Sequence, residues 1–226
     1  MSIMTPASHP LSRERRRFLT ALGLAVLGLP IRPAAADPVR VLAFGDSLTA
    51  GYGLKQGEGF ADQLQAAFQK MGRPVKVINA GVSGDTSAGG LARADWSLAD
   101  KPQVMILELG ANDMLRGVEP EATKTNLAGI IEKAQAAGAK VLLCGMKAQR
   151  NLGPDYVQRF DAIYPALAEQ YHVALYPFFM DGIVAADGTA DRSLLQPDGL
   201  HPTVAGAALI VQRLMPSLLK LMDGAG

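Results

Sequence analysis

Apolar runs of strand length recur along the chain at Arg40 to Phe44, Val75 to Asn79, Val104 to Leu109, Lys140 to Cys144 and Val173 to Tyr176. The runs are short and nearly continuous instead of alternating with polar residues, which is the pattern of strands covered on both faces. Between them, apolar residues at helical spacing predict helices near Gly59 to Met71, Ser87 to Leu98, Pro120 to Ala137, Pro154 to Gln170 and Thr203 to Leu221. Gly72 and Gly138 stand where helix C-caps are wanted, and Glu119-Pro120-Glu121 suits a first turn, with proline pre-set for the helix and carboxylates at its positive end. Alternation of strand and helix predicts an α/β fold with one parallel sheet and helices on both faces. No internal repeat, low-complexity tract or linker interrupts the pattern after Pro38, and the two longest irregular stretches are Gly145 to Asp155 and Phe178 to Leu200.

Composition adds an appendage to this picture. The 226 residues, 49% hydrophobic and 19% charged, fit one globular domain with a short extension. The first 36 residues hold Arg13, Arg15, Arg16, Arg17 and Arg32 against Glu14 alone, and Arg15-Arg16-Arg17-Phe18-Leu19 leads into an apolar, glycine-interrupted stretch ending at Pro30. That stretch falls short of the roughly 18 residues a membrane span needs. With Ala34-Ala35-Ala36 as a small-residue cleavage site, residues 1–36 read as an export signal. The arginine pattern resembles a twin-arginine signal, with Glu14 departing from the usual Ser or Thr. Cleavage after Ala36 would leave residues 37–226 as a single domain that is periplasmic or secreted; the alternative is an uncleaved N-terminal anchor. The remaining 17 basic and 20 acidic residues leave this body mildly acidic. It lacks the basic surplus that binding to nucleic acid or an anionic membrane surface requires, so neither partner is expected. Cys144 is the only cysteine, which excludes an internal disulfide and a cysteine-built metal site; its position in a strand favours a buried thiol over a nucleophile.

In a parallel sheet, ligands bind beyond the carboxyl ends of the strands. Three loops leaving strands carry reactive residue types there: Gly45 to Gly53, Gly81 to Ser87 and Gly110 to Asp113. A fourth segment, Asp198-Gly199-Leu200-His201-Pro202, precedes the last helix. Ser47, at a strand-to-helix turn, would expose its hydroxyl and keep its own N–H free. A serine needs a base to act as a nucleophile, and the body offers only His172 and His201. His172 reads as a surface ring before a strand. His201 follows Asp198 by three residues, close enough for the carboxylate to hold one ring nitrogen and leave the other facing Ser47. Taken alone, Asp198 and His201 are also compatible with an ordinary turn before a helix. Gly84 would let a backbone N–H approach a substrate closely, and the Asn112 amide would add a second donor for an oxyanion, although each alone is also an ordinary turn residue.

In this order and on these elements, the four segments resemble the SGNH, or GDSL-type, hydrolase superfamily. Within it, Gly45 to Gly53, Gly84 to Ser87, Glu108 to Asp113, Ile163-Tyr164-Pro165 and Tyr176-Pro177-Phe178-Phe179 look most like the small periplasmic arylesterase and acyl-CoA thioesterase (lysophospholipase) subgroup. The resemblance runs from about Val39 to Leu221. It implies a flavodoxin-like three-layer α/β/α sandwich of about five parallel strands. It also implies a catalytic Ser47, Asp198 and His201, and an oxyanion hole of Ser47, Gly84 and Asn112. The implied activity is hydrolysis of aryl, lysophospholipid or other acyl esters, and of thioesters, through an acyl-enzyme. Lys147 to Leu152 departs from the more apolar segment common in the subgroup, which bears on chain-length preference. Leu109, Met114, Leu152, Phe178, Phe179 and Ile183 are the apolar residues expected to line the substrate pocket. Asp46, Asp85 and Asp113 also fit a metal phosphoesterase, but two histidines are few for such a site, so no metal and no cofactor is expected and the aspartates are assigned to hydrogen-bonding the turns. A monomer is expected. The competing readings are a carbohydrate O-acetyl esterase on the same scaffold and a non-catalytic periplasmic binding module.

Overall fold

The computed structural model describes residues 1, 37–185 and 188–224. The expected export signal and its cleavage site at Ala36 lie outside the described residues. Five strands, β1 (Val39–Gly45), β2 (Val75–Gly81), β3 (Val104–Glu108), β4 (Lys140–Cys144) and β5 (Ala174–Tyr176), form one sheet in the order β2-β1-β3-β4-β5. Every pairing is parallel, with Val41 in register with Val77 on one side and Val104 on the other. This is the flavodoxin-like order implied by the resemblance. Its strand order reverses at β1 and β3, and the crevice beyond their carboxyl ends is where such sheets bind ligands.

Eight α-helices among the described residues complete the layers: α1 (Ser47–Ala50), α2 (Phe60–Lys70), α3 (Ser87–Leu98), α4 (Ala111–Leu115), α5 (Pro120–Ala136), α6 (Pro154–Asp161), α7 (Ile163–Tyr171) and α8 (Val204–Met222). α2 packs with α8 on one face, while α5 packs with α3, α6 and α7 on the other. Between them, Leu42, Phe44, Ile106, Leu107, Leu142 and Leu143 are fully buried. Each such side chain contributes roughly 1.5–3 kcal/mol relative to exposure. α8 is long and apolar enough to cross a membrane by length and composition. Its buried residues, among them Ala207, Ile210, Val211, Leu214 and Leu218, recur at helical spacing and cover β4 and β5.

The helix expected over Pro154 to Gln170 is two. Pro165 has no N–H to donate to the Asp161 carbonyl, and its ring crowds that oxygen, so the ladder breaks at Ala162 between α6 and α7. Gly72 and Gly138 take positive φ one residue beyond Met71 and Ala137, which cap α2 and α5, the place where a left-handed residue closes a helix end. α5 starts on Pro120 at its first turn.

Candidate active site

Ser47 opens α1 immediately beyond β1, and the turn that presents it depends on Gly45. A Cβ there would stand 2.1 Å from Thr49 Oγ1 and 2.5 Å from Glu108 Oε2, so only glycine lets the chain close. Asp46 caps α1 by accepting the Leu48 N–H at 3.0 Å. His201 reaches the same place from the loop before α8. Its Nε2 is 2.8 Å from Ser47 Oγ and its Nδ1 is 2.7 Å from Asp198 Oδ2. The other Asp198 oxygen accepts the N–H groups of Leu200 at 2.9 Å and His201 at 3.0 Å. Those two backbone donors, followed by the His201 side chain, hold the Asp198 carboxyl down at about 2. The donor on Nδ1 leaves Nε2 as an acceptor, the state a general base requires.

Two contacts that sequence reasoning missed fix this geometry. The Tyr52 ring packs against the His201 ring at a centroid distance of 4.6 Å. The Gln196 amide donates to the Tyr52 carbonyl at 2.7 Å and to the Pro202 carbonyl at 2.9 Å, joining the serine loop to the histidine loop. Neither residue carries a sequence signal, because an exposed tyrosine and a loop glutamine are commonplace on any surface. His172 is exposed at the end of α7, as expected of a surface ring, and Cys144 is fully buried in β4.

The expected oxyanion donors converge from the other two loops. Gly84 follows β2 with φ +80°, and its carbonyl is held by Arg116 at 2.8 Å. The N–H groups of Ser47 and Gly84 make no hydrogen bond among the described residues. Asn112, on α4, donates one amide hydrogen to Asp46 Oδ2 at 3.0 Å, which leaves the second for a ligand.

Of the three aspartates assigned to the turns, Asp46 and Asp113 bind backbone. Asp113 is buried and accepts the N–H and hydroxyl of Ser87 and the hydroxyl of Thr123, fixing the start of α3. Asp85 corrects the expectation: it pairs with Arg93 at 2.7 Å instead. Arg93 in turn donates to the carbonyls of Ala80 and Gly45 and lies 3.9 Å above the Phe44 ring, so this ion pair ties the ends of β1 and β2 together. The aspartates thus face separate partners, and the described residues contain no group of three His, Cys, Asp or Glu able to hold a metal ion.

Ser47, Asn112 and His201 open onto a cavity of about 630 Å³. Its walls come from the two long irregular stretches, with Met146, Phe178, Met180, Val184 and Leu195 supplying apolar surface and Met114 added from α4. Lys147 and Arg150, within the segment that departs from the subgroup pattern, also line it, and the Lys147 ammonium lies 4.8 Å from the Phe178 ring centre. Of the six expected pocket residues, Met114 and Phe178 are in the wall and four are not. Leu109 is fully buried, and Phe179 is fully buried against Phe60 with ring centres 5.1 Å apart. Ile183 lines an adjoining cavity, and Leu152 is exposed away from the lining. Hydrophobicity marked these residues as apolar, but only the turns of the loops decide which side chains face the core and which face the cavity.

Comparison with known proteins gives a consistent picture. The family described as GDSL-like Lipase/Acylhydrolase matches residues 43–209. Esterase TesA of Pseudomonas aeruginosa is 41% identical over 207 residues, covering 91% of this chain and 100% of that protein. The Escherichia coli protein named Thioesterase 1/protease 1/lysophospholipase L1 is 36% identical over 196 residues, covering 86% of this chain and 89% of its own. Among solved structures, the psychrotrophic esterase EstA from Pseudoalteromonas sp., inhibited by monoethylphosphonate, has a TM-score of 0.76 at 35% identity. It covers 82% of this chain and 99% of that one.

Proposed function

The chain belongs to the GDSL-like lipase/acylhydrolase family and is a carboxylic ester hydrolase, and from that premise we propose that Ser47 is its nucleophile, His201 its general base and Asp198 the group that orients the imidazole. The observation that carries this reading is the line from Ser47 Oγ through His201 to Asp198, with links of 2.8 and 2.7 Å, opening onto an apolar-walled cavity. His201 Nε2 takes the Ser47 proton as Oγ attacks the ester carbonyl. The negative charge that develops on the carbonyl oxygen is received by the Ser47 and Gly84 N–H groups and the free hydrogen of the Asn112 amide. His201 then protonates the departing alcohol or thiol, leaving an acyl-serine. A water deprotonated by His201 attacks that ester, and return of the proton to Ser47 Oγ releases the acid. Asp198 remains a carboxylate throughout and stabilises the imidazolium formed in both halves.

The substrates are small or lipid acyl esters, including aryl and lysophospholipid esters, with thioester cleavage as a capability of the same acyl-enzyme. The apolar cavity wall supports acyl and aryl groups over acetylated sugars. Residues 1–36 act as an export signal and residues 37–226 as the hydrolase domain in the periplasm or outside the cell. The domain works as a monomer, since one chain supplies the nucleophile, base and oxyanion donors. The test is hydrolysis of p-nitrophenyl esters from acetate to palmitate by residues 37–226 beside Ser47→Ala, with EDTA throughout. Turnover that disappears in Ser47→Ala is expected. Turnover retained by Ser47→Ala would overturn the assigned nucleophile, and folded protein inert on every ester would redirect the search to acetylated sugars and then to simple binding. N-terminal sequencing of the exported protein should begin at Asp37; protein retained in the cytoplasm at full length would refute the export reading.

A further inference from the structure

Behind the oxyanion donors, two carboxyl groups that the ester chemistry leaves unused lie side by side in the core. Asp46 and Glu108, at the ends of neighbouring strands, are both fully buried. Both oxygens of Asp46 are engaged, one by the Leu48 N–H and one by the Asn112 amide, each at 3.0 Å. Glu108 Oε2 accepts the Thr49 hydroxyl at 2.8 Å and the Asp46 N–H at 3.3 Å, while Glu108 Oε1 meets no partner. Among the described residues neither carboxyl has an ion-pair partner. The titratable groups acting on the pair are His201 on the Asp46 side, Cys144 on β4 beside Glu108, and Tyr164 on α7. Two adjacent buried carboxylates with no cation between them cannot both stay ionised, and the one with an unpartnered oxygen is the one to hold a proton.

We propose that Glu108 is kept as a neutral acid beneath an ionised Asp46, and that Asp46 is a positioning residue that acts on the reaction through Asn112. Asp46 Oδ2 holds one hydrogen of the Asn112 amide, which sets the plane of the amide and aims the other hydrogen at the forming oxyanion. The neutral Glu108 braces the Asp46 backbone and Thr49 without placing a second charge behind the site. Burial, the largest influence on each, lifts Asp46 to about 6 and Glu108 well above the ordinary carboxylate value, and Asp46, with both oxygens partnered, is the one to ionise first. The proposal rests on the esterase reading for its kinetic consequence and stands apart from it in its spectroscopic one.

The test pairs Asp46→Asn with Glu108→Gln. The side chain introduced by Asp46→Asn would present an NH₂ group to the Asn112 NH₂, turning that amide away, so kcat should fall roughly 10- to 100-fold with KM within about twofold, part of the loss that follows full removal of an oxyanion donor. Glu108→Gln replaces one neutral group by another of the same shape and should keep kcat within about threefold. In the infrared spectrum of the wild type at pH 8, the carbonyl stretch of a protonated carboxyl group is expected, and it should vanish in Glu108→Gln. The absence of that band from the wild type would overturn the neutral Glu108 whether or not either variant folds. Wild-type kcat in a folded Asp46→Asn, or a Glu108→Gln loss as large as that of Asp46→Asn, would overturn the positioning role. A wild type with no ester turnover would instead count against the esterase reading and leave the infrared result standing.

Discussion

Replacing Asp198 by asparagine should harm turnover more than removing its side chain altogether. In Asp198→Asn the amide oxygen stays with the Leu200 and His201 N–H groups, since flipping it would forfeit both hydrogen bonds, about 2 kcal/mol at roughly 1 kcal/mol each. The NH₂ group then faces His201 Nδ1 and forces the ring proton onto Nε2. Nε2–H points at Ser47 Oγ, 2.8 Å away, and cannot accept its proton. A wrong tautomer forced in this way costs a serine triad about 10⁴-fold in kcat. Asp198→Ala has no such effect, because water can reach Nδ1: the Asp198 side chain is 37% exposed and that of His201 is 17% exposed. What alanine loses is the attraction between carboxylate and imidazolium, about 1–4 kcal/mol for charges about 4 Å apart at effective dielectric constants of 20 to 80. That is roughly 5- to 10³-fold in rate. The assay is kcat and kcat/KM for wild type, Asp198→Ala and Asp198→Asn on one p-nitrophenyl ester at one pH, with thermal melts to verify folding. Asparagine equal to or faster than alanine would refute the tautomer argument.

Gly45→Ala places its new methyl carbon 2.6 Å from the Glu108 carbonyl oxygen, which belongs to the backbone of the adjacent strand and cannot step aside. Overpacking of this kind costs about 1–3 kcal/mol, a drop in melting temperature of about 2–12 °C by calorimetry, and an unchanged melt would contradict it. Because the Asp46 carboxyl is raised to about 6 in the folded protein, the stability it contributes is present below its unfolded value of about 3.9 and is lost as pH rises through about 6. The melting temperature of Asp46→Asn relative to wild type should therefore improve between pH 5 and pH 8; a difference independent of pH would show that Asp46 does not titrate in that range. Val184→Phe fills part of the cavity wall and should move the best p-nitrophenyl ester towards shorter chains while acetate turnover persists, and an unmoved optimum would place the acyl chain elsewhere.

Buried strands were legible because their burial is two-sided and leaves an unbroken apolar run, as in Val104–Glu108 and Lys140–Cys144. The break in the helix after Pro154 was not, since the apolar spacing continues across it and the effect of Pro165 falls four residues upstream, at Asp161. Ser47, Gly84, Asn112, Asp198 and His201 were readable as a set because the segments that carry them follow strands or precede the last helix, where the alternation of elements sends them to one end of the sheet, and because together they match the pattern of the resemblance. The cavity wall was not. Whether Phe178 faces the substrate and Phe179 the core is decided by the path of an irregular loop, in which neighbouring apolar residues follow no period. The acidic average of the body likewise gave no hint that two cations, Lys147 and Arg150, line the cavity that Ser47 opens onto.

The central claim is that Ser47 carries the acyl group, and the most direct measurement is to trap it. Treating residues 37–226 with an aryl phosphonate should release one equivalent of the phenol, abolish esterase activity and add a single phosphonyl mass on the peptide that contains Ser47, with Ser47→Ala and an excess of competing ester both preventing the label. A label on another residue that abolishes activity, or activity that survives complete labelling of Ser47, would contradict the account.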